Sequence, residues 1–392
     1  MSRLPRPCLL AVAAAAAALH ADAWAVNGAQ PGGIGIKNAS MGGASIALPL
    51  DATAAANNPA GLAFVPSSAT FGLQLFRGHS SAEYVLPGNN LDNRQTQPVP
   101  EGGINRQLDG GIAVGLSVSG AGAGSDYGQP ALPVAGAGEA KTSLRVAEFV
   151  PALAYAPRPD LAVGLGLTLA WQQFEADGVI VPAPVPGGLM PLPGHGRQSA
   201  TGIGVRAGLL WKPAENWTLG ATARSRVRMS SLDGYERDLL AYSDGHLDVP
   251  AQYGVGVAWQ ATPRLTLAAD WLRILWGEIE AMRDPNGFAW RNQPVLRLGA
   301  AWSLDDRWTL RAGISRNDRQ IDSSRAVQNL LVPSIHDRAY SVGLSWRSGE
   351  RSEINLGYEL NPRTTLEGTG ASAGTSLTSK VQMFLLGYHH NF

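Results

Sequence analysis

From about residue 70 onward apolar side chains return at every second position. Leu161, Val163, Leu165, Leu167, Leu169 and Trp171 form one face of a run whose other face carries Ala162, Gly164, Gly166, Thr168, Ala170 and Gln172. Ile203 to Trp211, Trp217 to Ala223, Val255 to Trp259, Leu265 to Trp271, Leu296 to Trp302, Trp308 to Ile314, Tyr340 to Trp346 and Ile354 to Leu360 repeat the alternation. A period of two with one apolar face and one small or polar face predicts β-strands buried on one side only.

The connections between these runs fall into two classes. Tight polar turns occur at Arg158-Pro159-Asp160, Pro213 to Asn216, Thr262-Pro263-Arg264, Asp305-Asp306-Arg307 and Ser348-Gly349-Glu350. Long Gly-, Pro- and Asp-rich segments separate the resulting hairpins, at roughly 121–143, 176–199, 230–249, 279–292, 318–336 and 363–376. Short turns at one end and long loops at the other predict a transmembrane barrel with its turns in the periplasm. Eleven strands can be placed from residue 144 onward. Runs around Phe71 to Leu75 and Ile112 to Val118, with the poorly patterned stretch 82–106 between them, bring the count to an even 14. Trp211, Trp217, Trp259, Trp302, Trp308 and Trp346 flank the short turns, where an interfacial aromatic girdle belongs. Trp171, Trp271 and Trp276 lie near the opposite ends, and a soluble sandwich or solenoid has no use for such rings.

Composition agrees. The chain of 392 residues is 45% hydrophobic and 16% charged, with 47 Gly and a formal charge of zero, so disorder and a nucleic-acid partner are both disfavoured. The one cysteine, Cys8, excludes a disulfide framework. Arg3 and Arg6, the apolar run to Leu19 and the A-x-A sites ending at Ala25 predict a signal peptide over 1–25. Residues 67–392 are then the barrel. The stretch 26–66 has too little bulk for a core of its own and reads as a plug, or hatch, inside the lumen, with Asp51 as an N-cap for a turn over 52–56 and Asn58-Pro59 as a turn signal.

Met41-Gly42-Gly43-Ala44-Ser45-Ile46-Ala47 and Asn58-Pro59-Ala60-Gly61-Leu62, followed by Leu219 to Val227, Ala269-Asp270-Trp271, Leu310 to Gly313 and the terminal Gly387 to Phe392, together resemble the FadL-type transporters of Gram-negative outer membranes. The resemblance covers essentially the whole mature chain. It implies an all-β, 14-stranded antiparallel barrel with an N-terminal hatch, hydrophobic ligands such as long-chain fatty acids or aromatic hydrocarbons, passive diffusion, and lateral escape through a kinked strand. Asn58, Pro59 and Ala60 match the family's hatch motif.

The strand phase turns Arg224, Arg226 and Arg228 toward the lumen, together with Arg206, Arg297 and Arg311. Glu148, Asp270, Glu353 and Glu359 are candidate partners. An arginine fork fits a carboxylate headgroup, but a structural ladder of ion pairs explains the same residues. Leu210, Leu272, Ile274 and Trp276 are candidates for an apolar ligand wall, or for plain contact with the hatch. Phe392, in phase with Tyr388, Leu386 and Phe384, resembles the terminal signal read by the outer-membrane assembly machinery. His389 and His390 point to opposite faces, no nucleophile or metal motif is present, and neither enzyme activity, metal nor cofactor is expected. The expected partners are a hydrophobic ligand, outer-membrane lipid and the assembly machinery, for a monomeric protein. The competing readings are an aromatic hydrocarbon channel, a structural or adhesive outer-membrane protein and a general porin.

Overall fold

The computed structural model describes residues 28–185 and 188–392; the expected signal peptide lies outside them. Fourteen barrel strands follow in chain order: β1 (Ser68–Glu83), β2 (Asn90–Gln107), β3 (Ile112–Asp126), β4 (Lys141–Arg158), β5 (Leu161–Asp177), β6 (Gln198–Ala214), β7 (Trp217–Arg224), β8 (Gln252–Thr262), β9 (Leu265–Ile274), β10 (Gln293–Ser303), β11 (Trp308–Asn317), β12 (Arg338–Arg347), β13 (Ser352–Glu367) and β14 (Ser376–Asn391). Each pairs antiparallel with its sequence neighbours, and β1 closes on β14 from Ser68 opposite Asn391 to Glu83 opposite Ser376. Closure pairs the first strand with the last, as a lipid-embedded sheet requires, leaving unpaired edges only where neighbouring strands part.

The outward rows are the apolar ones. Leu165, Val205, Val255, Val342 and Leu356 are all more than half exposed on the outer wall. The six tryptophans beside the short turns are exposed too, and Trp217 stacks on Trp259 with ring centroids 5.4 Å apart. Trp276 is the exception among the aromatic candidates. It is buried inside, edge-on to Trp290 at 5.0 Å, because the chain leaves β9 at Ile274 and folds over the lumen.

Residues 28–67 precede β1 and fill the lumen. They hold two single-turn helices, α1 (Ile36–Ala39) and α2 (Ala54–Asn57), and a 3-10 turn over Pro59–Phe64. The second helix starts later than the sequence suggests. Asp51 Oδ1 accepts from Thr53 N at 2.9 Å and from Thr53 Oγ1 at 2.6 Å, forming a side-chain turn ahead of the helix. Inner-face glycines make room for this segment: a Cβ on Gly164 would strike the Pro59–Ala60 backbone, on Gly220 that of Ile46 and Ala47, and on Gly313 that of Met41 and Gly42. The alternation of bulky and tiny residues along the strands therefore serves lipid outside and hatch backbone inside.

Candidate functional site

The hatch is tied to the wall by single polar contacts spread around the barrel. Gly35 N donates to Glu101 Oε2 at 3.0 Å, Gly42 N to Ser341 Oγ at 2.8 Å, and Ser45 N and Ile46 N to Asp270 Oδ2 at 2.7 and 2.9 Å. Lys37 Nζ lies 2.8 Å from Glu353 Oε1, and Arg297 Nη1 donates to Gly43 O at 3.1 Å. Asn58 is the busiest residue: Nδ2 reaches Ile46 O at 2.8 Å and the wall carbonyls of Leu209 and Ala221 at 3.2 and 3.3 Å, while Oδ1 accepts from Ala60 N at 3.2 Å. Pro59 occupies the first position of the following 3-10 turn, where a missing N–H costs nothing, and Ala60 is fully buried against Ala162 and Leu210. The motif is thus a joint between two hatch segments and the β6–β7 wall.

The luminal charges form a network. Glu148 accepts from Arg206 Nη2 and, at 3.2 Å, from Arg224 Nη1. Arg206 also donates to Ala56 O and, at 2.9 Å, to Thr168 Oγ1, while Arg224 Nη2 reaches Pro250 O at 3.1 Å. One carboxylate therefore faces two buried guanidinium groups, and Arg224 Nε has no hydrogen-bond partner among the described residues. These groups line a cavity with Gln30, Ile46, Ala121, Tyr253 and Leu272. Arg226 lies apart from it, 3.3 Å from Asp248. Arg311 is luminal but distant, donating to Ser345 Oγ.

Arg228 corrects the strand-phase reading. Arg224 stands opposite Arg206, but Arg228 stands opposite Ile203, one register step away. The extra residue is a bulge between them; it turns Val227 and Met229 inward and leaves Arg228 exposed beside the outward Ile203. Leu272, Ile274 and Trp276 are buried in the largest apolar cluster, shared with Ile46 of the hatch and with loop residues such as Trp290 and Ile335, so they form the roof of the lumen. Phe392 is exposed at the periplasmic rim, with its N–H donating to Ser67 O at 2.9 Å.

Sequence reasoning left the wall between β2 and β3 uncharacterised. β2 pairs with β1 from Glu83 opposite Asn90 to Ser68 opposite Asn105, and β3 pairs with β4 from Ile112 to Asp126. Between β2 and β3, however, pairing extends only from Gln107 opposite Ala113 to Gly102 opposite Val118. Beyond these residues, toward the extracellular side, the two edges part. Pro98 and Pro100 explain half of this. Proline cannot donate into a ladder, so in the continuous β1–β2 ladder both must turn their nitrogens toward β3, where no donor remains to bridge the strands. On the facing edge Gly120-Ala121-Gly122-Ala123-Gly124 is the segment expected as the start of a loop; it instead continues β3 to Asp126, with Gly124 at φ 156°. A second cavity inside this gap is lined by Phe76, Asn93, Gln95, Ala123, Gly124 and His336. Each of these two cavities is about 50 Å³, below the roughly 150 Å³ of a protein cavity that holds benzene, so a ligand can occupy either only if the hatch or roof moves.

The family model for outer membrane transport proteins of the OMPP1/FadL/TodX type matches residues 10–383. Similar solved structures include the Pseudomonas putida toluene transporter TodX, at 19% identity over 92% of this chain and 99% of that one with a TM-score of 0.72. A Pseudomonas aeruginosa FadL homologue follows at 19% identity, 92% and 98% coverage and a TM-score of 0.70. The Ralstonia pickettii toluene transporter TbuX gives 18%, 92% and 99%, and 0.65. At these identities the likeness carries the fold. No curated protein sequence matches the chain significantly.

Proposed function

The chain belongs to the OMPP1/FadL/TodX family of outer membrane transport proteins, and from that footing we propose that its substrates are hydrophobic monocarboxylates, long-chain fatty acids foremost, entering by passive diffusion through the hatch-gated barrel. It is a bacterial outer-membrane barrel of a family that moves hydrophobic compounds. The observation that supports an acidic headgroup is the charge imbalance in the lumen, with Glu148 alone between Arg206 and Arg224 beside the apolar Ile46, Ala121 and Leu272. A substrate carboxylate supplies the second anion, and its chain has apolar surface to lie on. Arg226 and Arg311 are set apart from this point, so the headgroup role falls to Arg224.

Transport then has three stages. Exposed Val185, Leu189 and Met190 on the loop between β5 and β6 offer a first apolar contact. The substrate next enters beneath the roof of Leu272, Ile274 and Trp276. A shift about Asn58-Pro59-Ala60 enlarges the cavity, and the β2–β3 gap gives a sideways exit into the membrane. Phe392 serves assembly of the barrel rather than transport.

Aromatic hydrocarbons are the second reading, favoured by Trp276, Phe288 and Trp290 packed ring to ring in the roof. Two proteins of the same fold are named as toluene transporters. Mass spectrometry of lipid extracted from the purified protein separates the two, with bound acyl chains expected. In liposomes, Arg224→Gln is expected to slow fatty acid uptake while sparing toluene. Loss of both, or of neither, overturns the headgroup assignment. Asn58→Ala is expected to change uptake while leaving a folded barrel; unchanged uptake counts against the hatch joint.

A further inference from the structure

A groove of about 420 Å³ lies on the outer wall at the extracellular end of the β2–β3 gap, lined by Arg94 and Thr96 of β2, Lys141 and Arg145 of β4, Glu175 of β5 and Arg197 before β6. It begins where the lipid-facing rows end. On β5 the outward series Leu165, Leu167, Leu169, Trp171 passes into Gln173 and Glu175, and on β4 Phe149 and Ala147 give way to Arg145 and Ser143. The groove therefore sits at headgroup height on the outer leaflet.

Four cations and two acids line it, and Asp177, outside the lining, lies 3.6 Å from Lys141 Nζ. Glu175 is held between Lys141 Nζ at 2.8 Å and Arg197 Nη2 at 3.1 Å, and Arg94 Nε lies 3.3 Å from Asp92. Asp126 is the other acid of the lining. One wall is the free edge of β2. Because Pro98 and Pro100 turn their nitrogens away from β1, the ladder alternation directs the backbone N–H groups of Arg94 and Thr96 to the same side, with no β3 partner. Guanidinium forks, an ammonium group and unpaired N–H donors around one concavity match a phosphate. Directly below, Pro98 is exposed at the edge of the gap, with Pro100 and Val118 buried behind it.

We propose that this groove binds the phosphorylated headgroup of an anionic outer-leaflet lipid whose acyl chains cover the β2–β3 gap. Polar donors above, with exposed Pro98 and the outward Leu167 and Leu169 of β5 below, fit an amphiphile better than a free anion. The site depends on residence in the outer membrane and not on which substrate is carried.

The test is native mass spectrometry of the full-length protein after exchange from vesicles of phosphatidylcholine alone or phosphatidylcholine with phosphatidic acid. The protein is expected to retain phosphatidic acid preferentially. In the variant Arg94→Gln, Lys141→Gln, Arg197→Gln, retention falls about tenfold, the order expected for losing several cation–headgroup contacts at a membrane surface. The control Arg264→Gln, Arg307→Gln removes charge at the periplasmic turns and leaves retention unchanged. Equal retention of the two lipids by the unaltered protein, unchanged retention in the triple variant, or an equal fall in the control overturns the proposal. Displacement of the lipid by inorganic phosphate at equal concentration overturns the lipid assignment, leaving a free-anion site.

Discussion

Gly35 N donates to Glu101 Oε2 at 3.0 Å, so the first helix of the hatch is fastened to β2, the strand whose other edge is open. The same carboxylate oxygen accepts from Gln74 Nε2 at 2.9 Å. Glu101→Ala leaves Gly35 N buried without its acceptor and Gln74 Nε2 with Gly33 O alone, at a cost of about 1–3 kcal/mol. Hydrogen exchange over residues 28–40 is expected to rise while strand content stays constant; unaltered protection there means that Glu101 does not hold the hatch.

Removing the shared acid is expected to cost more than removing either base. Glu148→Gln strands two buried guanidinium groups, and breaking a buried pair typically destabilises by about 3–5 kcal/mol. Arg224→Gln leaves Arg206 still paired with Glu148 and is expected to cost less. Urea midpoints in vesicles give the ranking, and a larger loss for Arg224→Gln contradicts the network as described.

Pro98→Thr combined with Pro100→Thr restores two N–H donors on the edge of β2 that faces β3. The strands are then expected to zip upward past Gly102 and Val118, with slower exchange of backbone amides in β3 and slower uptake of substrate. If amide exchange slows while uptake is untouched, the gap is not the exit.

His336 packs inside the roof with Nε2 3.0 Å from Ser379 Oγ, and burial pushes its pKa down to about 4, despite Asp337 beside it; Arg319 adds to the lowering. An opened roof returns this histidine to its ordinary value of 6.5. The open form then binds a proton that the closed form does not, so the closed form's advantage is complete above about pH 6.5 and is lost as pH falls toward 4. Protease cleavage of the loop at 318–337 is expected to increase across that window. His336→Gln, which cannot titrate, is expected to flatten the profile.

The strands were legible because lipid imposes a strict alternation, and Leu161 to Trp171 or Trp308 to Ile314 admit no other face. Luminal phase was legible only while the ladder ran unbroken: Arg206 and Arg224 point inward as expected, whereas a one-residue bulge carried Arg228 outside. Such a bulge leaves no compositional mark in Ser225-Arg226-Val227. The β2–β3 gap was hidden for a different reason. Pro98 and Pro100 weaken the strand pattern without saying which neighbour they face, and that follows only once β1 is known to pair along the whole of β2. Trp276 carried two readings, outer girdle and luminal wall, and only the path of the chain after Ile274 decides for the luminal one.

The seam between β1 and β14 joins the first strand to the last ten residues of the chain and beyond, Thr70 Oγ1 meeting His389 Nδ1 at 2.9 Å across it. Closure is therefore the most non-local event in folding, and loop entropy makes such pairings late. The hatch is made first and has no wall to sit on until the sheet curls around it. Its glycine-fitted seat and its enclosure arrive together, so a chain stalled before residue 376 exposes both an unzipped sheet and an unhoused plug. The barrel is thus complete, and the plug housed, only when residues 376–391 reach β1.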